Sequence, residues 1–151
     1  MTTGTRVSRR ILLADDEPEL RHSLADALNH RGFSVMEASC GSEALELGSR
    51  ERPDLSLLDI NMPDMTGVDV FRRWVRSGLR FPVIMMTAEA VADLRVEAQR
   101  LGVVAVVAKP FGARELFDLV YRALGLQPSV SAREGRQSSG EPGMKNKGEF
   151  N

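Results

Sequence analysis

Five residues able to hold or transfer charge stand at the ends of four short apolar runs. "RILLA" (10–14) leads into Asp15 and Asp16, and "LSLLD" (55–59) ends on Asp59. "VIMM" (83–86) is followed by Thr87, and "VVAVVA" (103–108) by Lys109 and Pro110. If these ends meet, three carboxylates, one hydroxyl and one ammonium share a rim. Clustered carboxylates repel one another unless a cation neutralises them. An acidic oxygen site with open positions suits Mg2+ (or Mn2+), which keeps several waters and takes few carboxylates together with phosphate oxygens. A carboxylate flanked by such a metal can attack phosphorus. A lysine and a hydroxyl opposite it would hold the phosphoryl oxygens. The set therefore reads as a site for making an aspartyl phosphate.

Taken singly, each residue has a plainer reading. An aspartate at a strand end is usually a solvated loop residue or a helix cap. Lys109 alone reads as a surface lysine, and Thr87 alone as an N-cap for a helix starting near Ala90. What these readings leave unexplained is that all five fall at the same kind of position. Asp64, in "DINMPDMTG", serves as a control, read as solvated turn chemistry with no convergent partner. Trp74 is expected to be partly buried, and His22 and His30 to lie on the surface of the first helix. Cys40 is expected in a loop or beside a cap, without a redox partner.

The elements that must position the five follow from periodicity. With "FSVME" (33–37) there are five strand-length runs, and all but this one are apolar nearly throughout, as strands covered on both faces should be. Between them lie helical stripes: Leu20, Leu24 and Leu28; Ala44, Leu45 and Gly48 within 42–50; Val68, Phe71 and Val75; Val91, Leu94, Ala98 and Leu101; Leu116, Val120 and Leu124. Pro18 suits a first helical turn, and Thr66 with Asp69 is a variant of the capping box. Gly32 and Gly102 mark helix ends. Pro110 after Lys109 fixes a turn and admits a cis peptide bond. Strand and helix alternate five times, which predicts an α/β fold with a doubly wound parallel sheet. At this length the five-stranded order 2-1-3-4-5 is expected, with ligands beyond the carboxyl ends of the strands.

The bulk properties bound the function. A chain of 151 residues, 42% hydrophobic and 27% charged, suits one domain and a tail. Its net charge of -1 gives no pull toward nucleic acid or an anionic membrane. "ILLA" is too short for a signal-peptide core or a membrane span, and one cysteine permits no internal disulfide. A cytoplasmic location is the default expectation. Residues 1–7 are expected to be a flexible N-terminal segment and 8–126 the domain. The stretch 127–151, rich in Ser, Gly and Pro, is expected to be a disordered tail, a linker remnant or residues left from cloning.

"LLADDE", "LLDINMPDMTG", "VIMMTAEA" and "VVAKPF", in this order and spacing, resemble the receiver domain of two-component response regulators. The resemblance covers about Ser8 to Leu126. It implies a flavodoxin-like (βα)5 sandwich acting as a phosphoacceptor switch, with Asp59 phosphorylated by a sensor histidine kinase or a histidine phosphotransfer protein. It implies Mg2+ bound directly by Asp16, Asp59 and the main-chain carbonyl of Asn61, with Asp15 acting through a metal-bound water. Thr87 would move inward to the phosphoryl group, and Lys109 would pair with it. Asn61 and Glu89 fall where the family tunes autodephosphorylation, in a combination similar to chemotaxis regulators. One departure is Val106, where the family often carries the aromatic half of a switch coupled to the threonine. The fifth strand would be a sheet edge, and "VVAVV" is more apolar than an exposed edge should be. Burial under neighbouring helices accounts for that. So would an output-partner or homodimer surface built from the fourth helix, fifth strand and fifth helix, which loses its basis if Val104 and Val106 are both buried. Three rival readings fit the residues less well. A haloacid-dehalogenase-type phosphatase wants D-x-D at the first strand end, a flavin carrier would face three repelling acids, and a partner-binding pseudo-receiver would not need the intact set.

Overall fold

Strand and helix alternate as the apolar pattern requires in the computed structural model, which describes residues 8–88 and 92–127. The order is β1 (Arg10–Ala14), α1 (Pro18–His30), β2 (Ser34–Ala38), α2 (Gly41–Glu51), β3 (Leu55–Asp59), α3 (Gly67–Arg76), β4 (Val83–Thr87), α4 (Ala92–Leu101), β5 (Ala105–Ala108) and α5 (Ala113–Leu124). Residues 1–7 and all but Gln127 of the expected tail lie outside the described residues, as do Glu89 and Val91. The strands form one parallel sheet in the order β2-β1-β3-β4-β5. No helix among the described residues is long and apolar enough to cross a membrane.

Alternation along the strands sends side chains to two cores. Leu12, Leu58 and Met85 join Val68, Phe71, Trp74 and Ala98 on the α2–α3–α4 side. Ile11, Leu13, Leu57, Ile84 and Met86 pack with Leu24, Leu28, Leu116 and Val120 on the α1–α5 side. Both faces are covered, which is why β1, β3 and β4 are apolar nearly throughout. β5 begins later than its apolar run, because the turn after α4 takes up Val103. Gly102 has φ +103, and the Val103 amide donates to the Ala98 carbonyl.

Trp74 departs from expectation. It is 1% exposed, not partly buried, while Val75 is 39% exposed. The buried face of α3 runs Val68, Phe71, Trp74, a tighter spacing than the expected Val68, Phe71, Val75 stripe. Gly48 on α2 makes room for the indole, since a Cβ there would lie 2.4 Å from the ring. The indole Nε1 donates to the Leu45 carbonyl at 3.2 Å, which removes the cost of burying a polar N–H.

Ser56 in β3 is fully buried, and its Oγ has no hydrogen-bond partner among the described residues. A buried hydroxyl without a partner carries its desolvation cost. Ser56→Ala is therefore expected to raise stability by about 1 kcal/mol, read as a higher urea midpoint at unchanged m-value.

Candidate functional site

The sheet order places β3 between β1 and β4, so Asp59 lies at the centre of the rim. Ladder bonding continues past the strand ends. The Asp15 amide donates to the Ala38 carbonyl at 3.0 Å, the Ile60 amide to Met86 at 2.8 Å, and the Lys109 amide to Thr87 at 2.7 Å. The residues that carry the site are thus fixed by the same backbone network that builds the sheet. Lys109–Pro110 is a cis peptide bond, as the sequence admitted.

Three carboxylates and the lysine come together on this rim. Lys109 Nζ donates to Asp15 Oδ2 at 2.7 Å and to Asp59 Oδ2 at 3.2 Å. Asp15 is fully buried, and its Oδ1 accepts from the Glu17 amide at 2.9 Å. Asp59 is 3% exposed, and its Oδ1 accepts from the Asn61 amide at 3.1 Å. Asp16 is exposed at the mouth. One carboxylate oxygen from each of Asp15, Asp16 and Asp59 lies within 4.8 Å of the others. Thr87, at the end of β4, is buried. Val106 is partly buried in β5, and Val104, just before it, is 49% exposed. Glu89 lies outside the described residues.

The loop after β3 turns back sharply behind Asp59. Gly67 donates its amide to the Ile60 carbonyl at 2.8 Å, and a Cβ at this position would lie 2.4 Å from the Asp59 carbonyl oxygen. Only glycine permits that approach. Thr66 then caps α3, its Oγ1 accepting from the Asp69 amide at 3.0 Å, while the Asp69 carboxylate engages Arg72 instead of reaching back.

Electrostatics set these carboxylates apart. Burial raises the Asp59 carboxyl to about 6; the Asn61 amide opposes this, the Asp15 charge adds to it, and Lys109 opposes it. Burial works against the Lys109 charge, but the hydrogen bond to Asp15 and the charges of Asp59 and Asp15 outweigh it, so its pKa is held above the ordinary value. Three carboxylates against one ammonium leave an excess of two negative charges. That excess, with oxygen donors open at the mouth, fits a divalent cation of the Mg2+ type.

One residue of this region escaped the sequence reading, and another was read only in part. Arg21 on α1 donates to the Asp15 carbonyl at 2.7 Å and pairs with Glu37 at 3.0 Å. Its target is a main-chain oxygen, which no side-chain spacing could reveal. Asp64 corrects half of an expectation: it is exposed in the loop, as expected. Yet it has partners, for its Oδ1 accepts from the Gly41 amide at 2.7 Å and its Oδ2 from the Ser42 amide at 2.8 Å. The Ser42 and Gly41 amides hold its carboxyl down at about 2. The signal lay in "ASCGSE": Cys40 takes the N-cap position of α2 without a side-chain cap bond, so the helix needs an acceptor from elsewhere.

The family model for the response regulator receiver domain matches residues 11–121. Regulatory protein AtoC of Escherichia coli is 42% identical over 118 residues, which is 78% of this chain and 26% of AtoC. Sporulation initiation phosphotransferase F of Bacillus subtilis is 35% identical over 121 residues, 80% of this chain and 98% of that protein. The chain thus spans about a quarter of one relative and nearly all of the other. Among solved structures, a CheY-like receiver domain protein from Methanospirillum hungatei JF-1 gives a TM-score of 0.74 at 29% identity. That match covers 79% of this chain and 95% of that one.

Proposed function

Because the chain belongs to the response regulator receiver domain family, we propose that it works as a phosphoryl-accepting switch with Asp59 as the acceptor. The observation that carries this reading is the Lys109 ammonium lying between two buried carboxylates, Asp15 and Asp59, with Asp16 open at the mouth.

The donor is a phosphohistidine on a sensor histidine kinase or a phosphotransfer protein. A carboxylate oxygen of Asp59 attacks phosphorus, and the P–N bond breaks as the O–P bond forms. The imidazole leaves with the electron pair, neutral because its other nitrogen carries the proton. Asp16, Asp59 and the main-chain carbonyl of Asn61 would hold Mg2+, with Asp15 acting through a bound water, and the metal would supply charge neutralisation for the phosphoryl oxygens. Lys109 is already within reach of Asp59 and pairs with the new phosphate. Thr87 moves inward to hydrogen-bond it. With Val106 supplying no aromatic ring, the change reaches the surface through Thr87 and the backbone after β4. Asn61 and Glu89 set the lifetime of the acyl phosphate. The exposed Val96 on α4 and Val104 beside β5 support an output or homodimer surface on α4–β5–α5. The cytoplasm is the compartment this chemistry suits.

The test uses a small phosphodonor. Incubation with acetyl phosphate and Mg2+ is expected to give one acid-stable, base-labile phosphoryl adduct by intact mass, and EDTA to suppress it. An adduct that forms equally well in EDTA would refute the metal-dependent reading.

A further inference from the structure

The loop that carries Asn61 is held at two places. Its base is closed by Gly67 against Ile60 and the Asp59 carbonyl. Its tip is held by Asp64, whose two oxygens take up the Gly41 and Ser42 amides in the first turn of α2. Those amides are orphan donors of a helix N-terminus, where a negative charge is favoured. The contact is tight. A Cβ at residue 41 would lie 2.3 Å from Met65 Cγ and 3.0 Å from Asp64 Oδ1, so Gly41 is what lets loop and helix meet. Within the loop, Asp64 Oδ1 also accepts from the Met65 amide at 3.0 Å, which fixes the carboxylate relative to its own backbone.

We propose that Asp64 is a positioning residue for the phosphoacceptor site: by seating the loop tip on α2, it holds the Asn61 segment where a divalent cation at Asp16 and Asp59 requires it. This rests on the phosphoacceptor reading above. Asp64 touches none of the reacting groups and acts through the loop backbone. Asp59 sits in a strand and needs no such help, whereas Asn61 lies in the loop, where its main-chain amide donates to Asp59 Oδ1.

Helix capping and loop positioning can be separated. Cys40 occupies the N-cap of α2 without a side-chain cap bond. Cys40→Ser supplies a cap from within the helix's own segment and leaves the loop unanchored. The parent, Asp64→Ala, Asp64→Asn and the Cys40→Ser/Asp64→Ala double variant are titrated with Mn2+, and the free ion is followed by electron paramagnetic resonance. Urea midpoints are taken on the same samples. Asp64→Ala is expected to lose stability and to weaken Mn2+ binding roughly tenfold. Asp64→Asn, with one acceptor oxygen left, should fall between. The double variant should recover its urea midpoint while its Mn2+ affinity stays low. The proposal is overturned if Asp64→Ala binds Mn2+ like the parent, or if affinity returns with stability in the double variant. Should Asp64→Ala fail to fold, Asp64→Asn decides, and parent-like affinity there overturns the proposal. A parent that binds no Mn2+ overturns the phosphoacceptor reading itself, a result distinct from the others.

Discussion

Asp59→Asn is expected to yield a protein that takes no phosphoryl group from acetyl phosphate and yet resists urea better than its parent. The first half follows from chemistry, since an amide oxygen is a poor nucleophile toward phosphorus and cannot form the acyl phosphate. The second follows from electrostatics. Burial raises Asp59 from its ordinary 3.8 to about 6, so the ionised carboxylate is worse off in the folded chain than in the unfolded one. For such an acid, the folded state binds more protons between pH 4 and pH 6. Stability therefore falls as pH rises through that window and stays lower above it. A neutral amide of the same shape removes the penalty, and Lys109 keeps Asp15 as its partner. The gain at pH 7.5 without metal should be about 1–2 kcal/mol. It should shrink toward zero near pH 4, where both proteins are neutral at this position. Urea midpoints of the two proteins at several pH values, in EDTA, read this difference directly. A variant that is less stable at pH 7.5 would show that hydrogen bonds from Asn61 and Lys109 outweigh burial. A phosphoryl adduct that persists in the variant would exclude Asp59 as the acceptor.

The second large effect lies away from the site. Trp74→Ala is expected to cost about 3–5 kcal/mol, because the indole is 1% exposed and fills the seam between α2 and α3. Against a typical total of about 5–15 kcal/mol, that is enough to leave a fraction of the chain unfolded at 37 °C. Gly48→Ala should also destabilise. In an exposed helix that change favours the helix by roughly 1 kcal/mol, but here the new methyl would lie 2.4 Å from the ring. A helix-promoting substitution that lowers stability is the signature of this contact, read by circular dichroism in urea. A Gly48→Ala protein as stable as its parent would mean that the indole can move aside.

The sheet and the five-residue rim were legible in the sequence because each is written in local patterns. Apolar runs that stop on a polar residue mark buried strands with polar ends, and strict alternation leaves few ways to order them. Trp74 was misjudged because its partner is a glycine, Gly48, an absence of side chain that no hydrophobic pattern records. Asp64 was misjudged because its partners are backbone amides of a helix 22 and 23 residues earlier. Arg21 was missed for the same reason, its hydrogen bond being to a carbonyl. What periodicity reveals is which face a side chain takes. Which main-chain group it meets depends on how loops from different crossovers come together.

The chain contains one tryptophan, and its burial against Gly48 has an optical consequence. All indole emission comes from the seam between α2 and α3, in an apolar setting shielded from water. The colour of that emission, and its resistance to an aqueous quencher, therefore gauge whether this one seam is closed. Events confined to α1 and α5, on the other side of the sheet, leave that signal dark. A fluorescence change on metal or phosphoryl loading would thus say where in the molecule the disturbance had travelled, without any label being attached.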